Sequence, residues 1–252
     1  MKTPISVQMF TLRDYTEKDF VGTLEKMAGI GFQGVEFAGF GGMKALELAN
    51  VLKTLGLEPS GTHYTKEALK EDVDRKIEYD LEIGNRFLIC SWDINDTRDG
   101  WLRSAELYNV VGEKCSKNGI QFCYHNHENE FVKYDGEYVL DMIYRETHPQ
   151  YVKFEIDTYW AKYMDVDPAG VISKYRGRCP LIHFKDMEAG EEKTMTEVGS
   201  GILDFPGIAA ASDGEAQWFI IEQDRCKRPA MDSVGISFEN LKKMNLINVK
   251  ER

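Results

Sequence analysis

Four residues in the second half of the chain have the types that hold a transition metal: His125, Asp157, His183 and Glu222. Each closes a short apolar run, in the segments 124–128 (YHNHE), 155–160 (EIDTYW), 183–186 (HFKD) and 222–225 (EQDR). Two imidazoles and two carboxylates without a thiolate suit manganese, cobalt, nickel or zinc, with positions left open for substrate oxygens. A lone His or Asp at a strand end more often makes an ordinary hydrogen bond. Four on successive strands are different, because two carboxylates buried side by side require a cation or protons to neutralise them. Glu222 is the first candidate for proton transfer, doubling as ligand, with His125 its partner across the site. Lys185, two residues past His183 on the same strand face, can steady a developing oxyanion; the alternative is an ion pair with Glu155. His127 follows strand 5 and is a further site candidate, whereas Glu128 and Glu130 read as a solvated turn.

Residues so far apart in sequence meet only if a regular scaffold returns the chain to one face. Short apolar runs at 5–10, 34–37, 58–63, 86–91, 120–125, 152–157, 181–185 and 218–222 alternate with amphipathic segments at 17–28, 43–55, 66–83, 98–117, 138–146, 168–175, 206–211 and 233–243. Eight strands is the number that closes a (β/α)8 TIM barrel, whose active site lies at the C-terminal strand ends. Gly31, Gly56, Gly84 and Gly119 stand where helices hand over to strands and supply the left-handed cap of a short αβ turn. An open doubly wound sheet would carry a glycine-rich turn after its first strand, and QMFTLR has none. We therefore expect one α/β domain spanning residues 1–252.

A chain of 252 residues is the size of one such barrel, and 42% hydrophobic residues can fill its core. The five cysteines are scattered with no CxxC pair, so they read as reduced packing residues. No apolar run is long enough for a membrane span or a secretory signal, and a cytoplasmic location is the default expectation. The net charge of −11 repels phosphodiester backbones, which argues against nucleic acid as a partner. Small molecules fit better. Barrels of this kind often self-associate, so a homo-oligomer stays open.

The stretches SVQMFTLRD, GFQGVEFAGF, YHNHENEF, FEIDTYWAKYMDVDP, PLIHFKDM, EVGSGILDFPGI and WFIIEQDRC, which span nearly the whole chain, resemble the sugar phosphate isomerase/epimerase family. These are xylose isomerase-like TIM barrels that include inosose dehydratases and ketose 3-epimerases. The resemblance implies one divalent metal, manganese foremost, held by His125, Asp157, His183 and Glu222, and a small keto sugar as substrate. The metal would engage a carbonyl and its neighbouring hydroxyl, so that the intervening C–H can lose its proton to give an enediolate. Ketose 3-epimerases carry a glutamate where this chain has His125, and inosose dehydratase relatives carry a histidine-rich strand-5 end. An isomerase or epimerase is the first expectation, a lyase or dehydratase of the inosose or 3-keto-glycoside type the alternative, and a non-catalytic sugar-binding subunit the third. His63, in GTHYT, is similar to the strand-3 histidine of abasic-site endonucleases, but Trp160 stands where those need a second histidine. We count His63, Trp92, His127 and Trp160 as substrate-binding, the tryptophans as walls for sugar C–H faces. The loop VGSGILD lies where many barrels bind phosphate, yet holds no Lys or Arg, so an unphosphorylated or glycosidic sugar is expected.

Overall fold

The computed structural model describes residues 2–247. Eight parallel strands, β1 (Ile5–Gln8), β2 (Gly34–Phe37), β3 (Glu58–Tyr64), β4 (Phe87–Cys90), β5 (Gln121–His125), β6 (Val152–Asp157), β7 (Leu181–Phe184) and β8 (Trp218–Ile221), follow one another around a closed barrel, with β8 paired back to β1. The expected (β/α)8 barrel is the fold. Helices α1 (Phe20–Ile30), α2 (Ala45–Leu55), α3 (Lys66–Glu82), α4 (Arg98–Lys117), α5 (Val139–Glu146), α6 (Thr158–Tyr163), α7 (Pro168–Lys174), α8 (Phe205–Ala211) and α9 (Ala230–Lys243) are the longer helices around it, with shorter helical turns and two two-stranded ribbons in the loops. Among the described residues no helix is long and apolar enough to cross a membrane.

Local chemistry accounts for the boundaries. Helix α1 starts at Phe20 because the Asp19 side chain accepts from Gly22 N, three residues later than the periodicity suggests. Gly31 and Gly56 end α1 and α2 at φ 117° and 65°, backbone that a side chain would strain. Helix α6 has no counterpart in the sequence reading: the Asp157 side chain caps it, accepting from Trp160 N at 3.1 Å. A strand-end aspartate there serves both strand and helix.

Inside the barrel, Phe87, Ile89, Cys123, Leu181, Trp218 and Ile220 form a small apolar cluster, separate from the large core between strands and helices. Gly34 admits the Trp218 ring, which a Cβ would meet at 2.8 Å. The register climbs around the barrel, pairing His125 with Glu155, Asp157 with His183, and His183 with Ile220, two residues below Glu222. Tilted strands compensate for this stagger, so side chains at different register levels meet at one height. Between β2 and β3 the register skips Ser60, and the extra residue brings Gly61 opposite Glu36.

Candidate metal centre

Above the apolar cluster the barrel mouth is polar. One ligand atom from each of His125, Asp157, His183 and Glu222 lies within 4.8 Å of the others, and all four residues are buried. His183 Nδ1 stands 2.9 Å from Glu222 Oε2, and His125 Nε2 3.8 Å from Asp157 Oδ2. Asp157 divides its carboxylate: Oδ1 caps α6, while Oδ2 is buried, makes no hydrogen bond and faces the Lys185 ammonium at 3.3 Å. Two buried carboxylates and two imidazoles with ligand atoms this close, one carboxylate oxygen making no hydrogen bond, are a donor set that fits a divalent cation.

Lys185 is fully buried, with Nζ 2.7 Å from Asp224, 3.2 Å from Glu222 and 3.3 Å from Asp157. The ion pair with Glu155 considered from the sequence does not form; Asp224, past the end of β8, takes that place. Burial works against the ammonium, but Asp157, Glu222 and Asp224 together hold it well above its ordinary range. In return, and again against burial, Lys185 and His183 hold Glu222 well below its usual value, whereas burial lifts Asp157 to about 6. Burial also keeps His125 low and sets His127 at about 3, whereas at His183 burial is outweighed by Glu155, Glu36 and Glu222, which hold it well above its ordinary value, so an ion bound there would have to displace the proton at His183 Nδ1.

Beneath this quartet lie two residues that are not among the site candidates legible in the sequence, Glu36 on β2 and Glu155 on β6. Glu155 Oε2 is 2.7 Å from His63 Nε2, 2.8 Å from His125 Nδ1 and 3.2 Å from His183 Nε2. Glu36 Oε2 accepts from Gln8 Nε2 at 2.6 Å and meets His183 Nε2 at 2.8 Å and His63 Nε2 at 3.1 Å. Burial disfavours the imidazolium of His63, but the two carboxylates outweigh it and raise His63 to about 10. His63, His125, Glu155 and His183 thus make a second, overlapping group with ligand spacing. The available signal was an acid two residues before Asp157, on the same strand face; Glu36 in GVEF offered none beyond strand alternation.

A cavity of about 910 Å³ opens over the site. His63, His125, His127, Trp92, Trp160, Glu222 and Asp224 line it, while Asp157, His183 and Lys185 stand behind them. His127 is packed between Trp92, at 4.5 Å between ring centroids, and Trp160, at 5.5 Å, which makes one aromatic wall. Trp160 also covers the Lys185 ammonium, 5.2 Å from its ring. In the loop after β7, the amides of Gly199, Gly201 and Leu203 all donate to the Asp186 carboxylate, at 2.9, 2.8 and 3.2 Å. Those N–H groups are taken.

The chain is 29% identical over 147 residues to the inosose dehydratase of Lacticaseibacillus casei, an overlap of 51% of this chain and 49% of that one. It therefore spans about half the length of that relative. A sugar phosphate isomerase/epimerase from Parabacteroides distasonis superposes with a TM-score of 0.83 at 21% identity, covering 98% of this chain and 100% of the other. The IOLI protein with a bound zinc atom does so with a TM-score of 0.72 at 12% identity, covering 98% and 97%. The model of the xylose isomerase-like TIM barrel family matches residues 24–244. Since that match takes in seven of the eight barrel strands and every residue of the mouth from Glu36 to Asp224, the chain belongs to the xylose isomerase-like TIM barrel family.

Proposed function

We propose that the protein is a divalent-metal-dependent enzyme of carbohydrate metabolism that removes the proton beside the carbonyl of a keto sugar or sugar derivative, forms an enediolate, and then eliminates a β-hydroxyl. The observation that carries this reading is the quartet His125, Asp157, His183 and Glu222, with ligand atoms within 4.8 Å of one another, beneath a cavity of small-molecule size that His125 and Glu222 line. Manganese, cobalt, nickel or zinc would be held there, manganese first, and would supply Lewis-acid polarisation of the carbonyl and its neighbouring hydroxyl.

The residues divide the remaining work. Glu222 faces the cavity and makes its contacts to His183 and Lys185 through Oε2 alone, which keeps it ionised and places it to accept the substrate proton, although the same contacts lower its basicity. Lys185 touches carboxylates and lies behind the cavity wall, so it acts by keeping Glu222 and Asp157 ionised. His63 also faces the cavity and is held as a cation, so it is the donor that can protonate a departing hydroxyl, which leaves as water. Trp92, His127 and Trp160 pack against the sugar's C–H face. The Asp186 grip removes the amides of the loop after β7 as a phosphate cradle.

Elimination is set ahead of the isomerase or epimerase outcome expected from the sequence. Inversion at carbon needs a proton-moving group on each face of the substrate; the position where ketose 3-epimerases carry the second glutamate holds His125, and its Nδ1 is engaged by Glu155. The inosose dehydratase, matched over half of the chain, points the same way. Isomerisation or epimerisation of the same enediolate is the second reading, favoured by the carboxylate of Asp224, which also faces the cavity. Manganese-loaded protein incubated with ketoses, inososes and 3-keto-glycosides in deuterated water, followed by NMR, separates these. A dehydrated product supports the proposal; an intact sugar deuterated next to the carbonyl supports the second reading, and no exchange with any of them removes both.

A further inference from the structure

Each of the two histidines in the quartet has one ring nitrogen claimed from below. His125 Nδ1 meets Glu155 Oε2 at 2.8 Å, and His183 Nε2 meets Glu36 Oε2 at 2.8 Å and Glu155 Oε2 at 3.2 Å. The opposite nitrogens, His125 Nε2 and His183 Nδ1, are the ones that approach Asp157 and Glu222. A neutral imidazole carries its proton on one nitrogen only, and a carboxylate can only accept. We propose that Glu155 and Glu36 are positioning residues for metal binding: they fix the proton on His125 Nδ1 and His183 Nε2, and so turn the lone pairs of His125 Nε2 and His183 Nδ1 toward the ion. This inference rests on the quartet being the metal site.

The surroundings hold each of the two carboxylates through its Oε2. Both are fully buried. Glu36 is anchored through Gln8, whose Nε2 donates to it at 2.6 Å while its Oε1 accepts from Phe10 N at 3.0 Å. Gly61 leaves the space that Glu36 fills, since a Cβ there would lie 2.8 Å from Glu36 Oε1. The barrel register sets Glu155 directly beside His125. His63 Nε2, within reach of both, supplies a shared donor that lets two acids lie this close. Partners of this kind fix a ligating histidine's tautomer and raise its basicity, and losing one costs about 10- to 100-fold in metal affinity.

The test is calorimetric titration of chelator-treated protein with manganese and with zinc, using wild type, Glu155→Gln, Glu36→Gln and Asp157→Asn, with circular dichroism as the check on folding. A glutamine amide can turn either its donor or its acceptor to the ring, so it keeps the shape and loses the instruction. The expected result is that both glutamine variants stay folded and bind about 10- to 100-fold more weakly, while Asp157→Asn loses more. Long-range proton–nitrogen NMR of zinc-loaded wild type should show His125 protonated at Nδ1 and His183 at Nε2, and Glu155→Gln should blur the His125 assignment. If Glu155→Gln does not fold, the wild-type tautomers decide alone, and the opposite protonation pattern overturns the proposal. Wild-type affinity in both glutamine variants also overturns it. So does metal kept by Asp157→Asn but abolished by Glu155→Gln, which would make His63, His125, Glu155 and His183 the site. Wild type that binds neither metal removes the functional reading itself.

Discussion

His183 and Glu222 touch, Nδ1 to Oε2 at 2.9 Å, although the register sets His183 beside Ile220, two residues below Glu222. Barrel tilt closes that gap, and the same carboxylate oxygen lies 3.2 Å from Lys185. Glu222 is thus a ligand candidate held ionised by a lysine and open to the cavity on its other side.

Replacing Glu222 by glutamine keeps an oxygen donor and the shape of the side chain but removes the proton acceptor. If Glu222 is the base, turnover falls about 10²- to 10⁴-fold at saturating metal, and substrate deuterium exchange falls with it. Exchange at the wild-type rate with metal bound would leave Glu222 a ligand only and move attention to His125.

Asp157→Ala or His183→Ala should each abolish retention of the ion, while thermal unfolding stays cooperative. The apolar cluster of Phe87, Ile89, Cys123, Leu181, Trp218 and Ile220 does not include either residue. Elemental analysis of protein purified without chelator should find about one ion per chain in wild type and none in the variants. Variants that fail to fold would mark these positions as structural.

Lys185→Met removes the lysine that pairs with Asp157, Glu222 and Asp224. Breaking a buried ion pair by removing one partner costs about 3–5 kcal/mol. In metal-free protein, urea denaturation should read a loss of that order. Added divalent ion should recover part of it, because it balances the same carboxylates. An unchanged midpoint would show that solvent already screens the lysine.

Asp80 gives a pH prediction away from the mouth. It is buried on α3, accepts from the Thr62 hydroxyl at 2.8 Å, and burial pushes its carboxyl up to about 7. The unfolded chain releases this proton near pH 4 while the folded chain keeps it to near neutrality, so folding binds a proton between those values. Stability therefore falls as pH rises from about 4 to 7, by up to about 4 kcal/mol from this group. Asp80→Asn removes that slope, so its stability relative to wild type should be greater at pH 8 than at pH 4. A constant difference between the two proteins across this range would contradict it.

The parts of this protein that could be read in advance are those with a one-dimensional signature. Apolar runs of strand length and glycine-terminated helices fix the barrel, and a polar residue closing a run is visible as such, which is why His125, Asp157, His183 and Glu222 stand out. Glu36 does not: in GVEF it reads as the polar position of an alternating strand, and only barrel closure makes that position interior. Asp224 is hidden for a different reason, because its partner Lys185 comes from the neighbouring strand at a height set by the stagger. Helix α6 is only six residues long and begins on a cap that already reads as a strand-end ligand.

The Asp186 carboxylate, gripped by the amides of Gly199, Gly201 and Leu203, is in effect a captive anion. A concave run of backbone N–H groups of this sort is a ready receptor for a phosphate, and here the chain has plugged it with one of its own side chains. The loop's amides are thereby closed to any outside acceptor for as long as the Asp186 side chain stays in place.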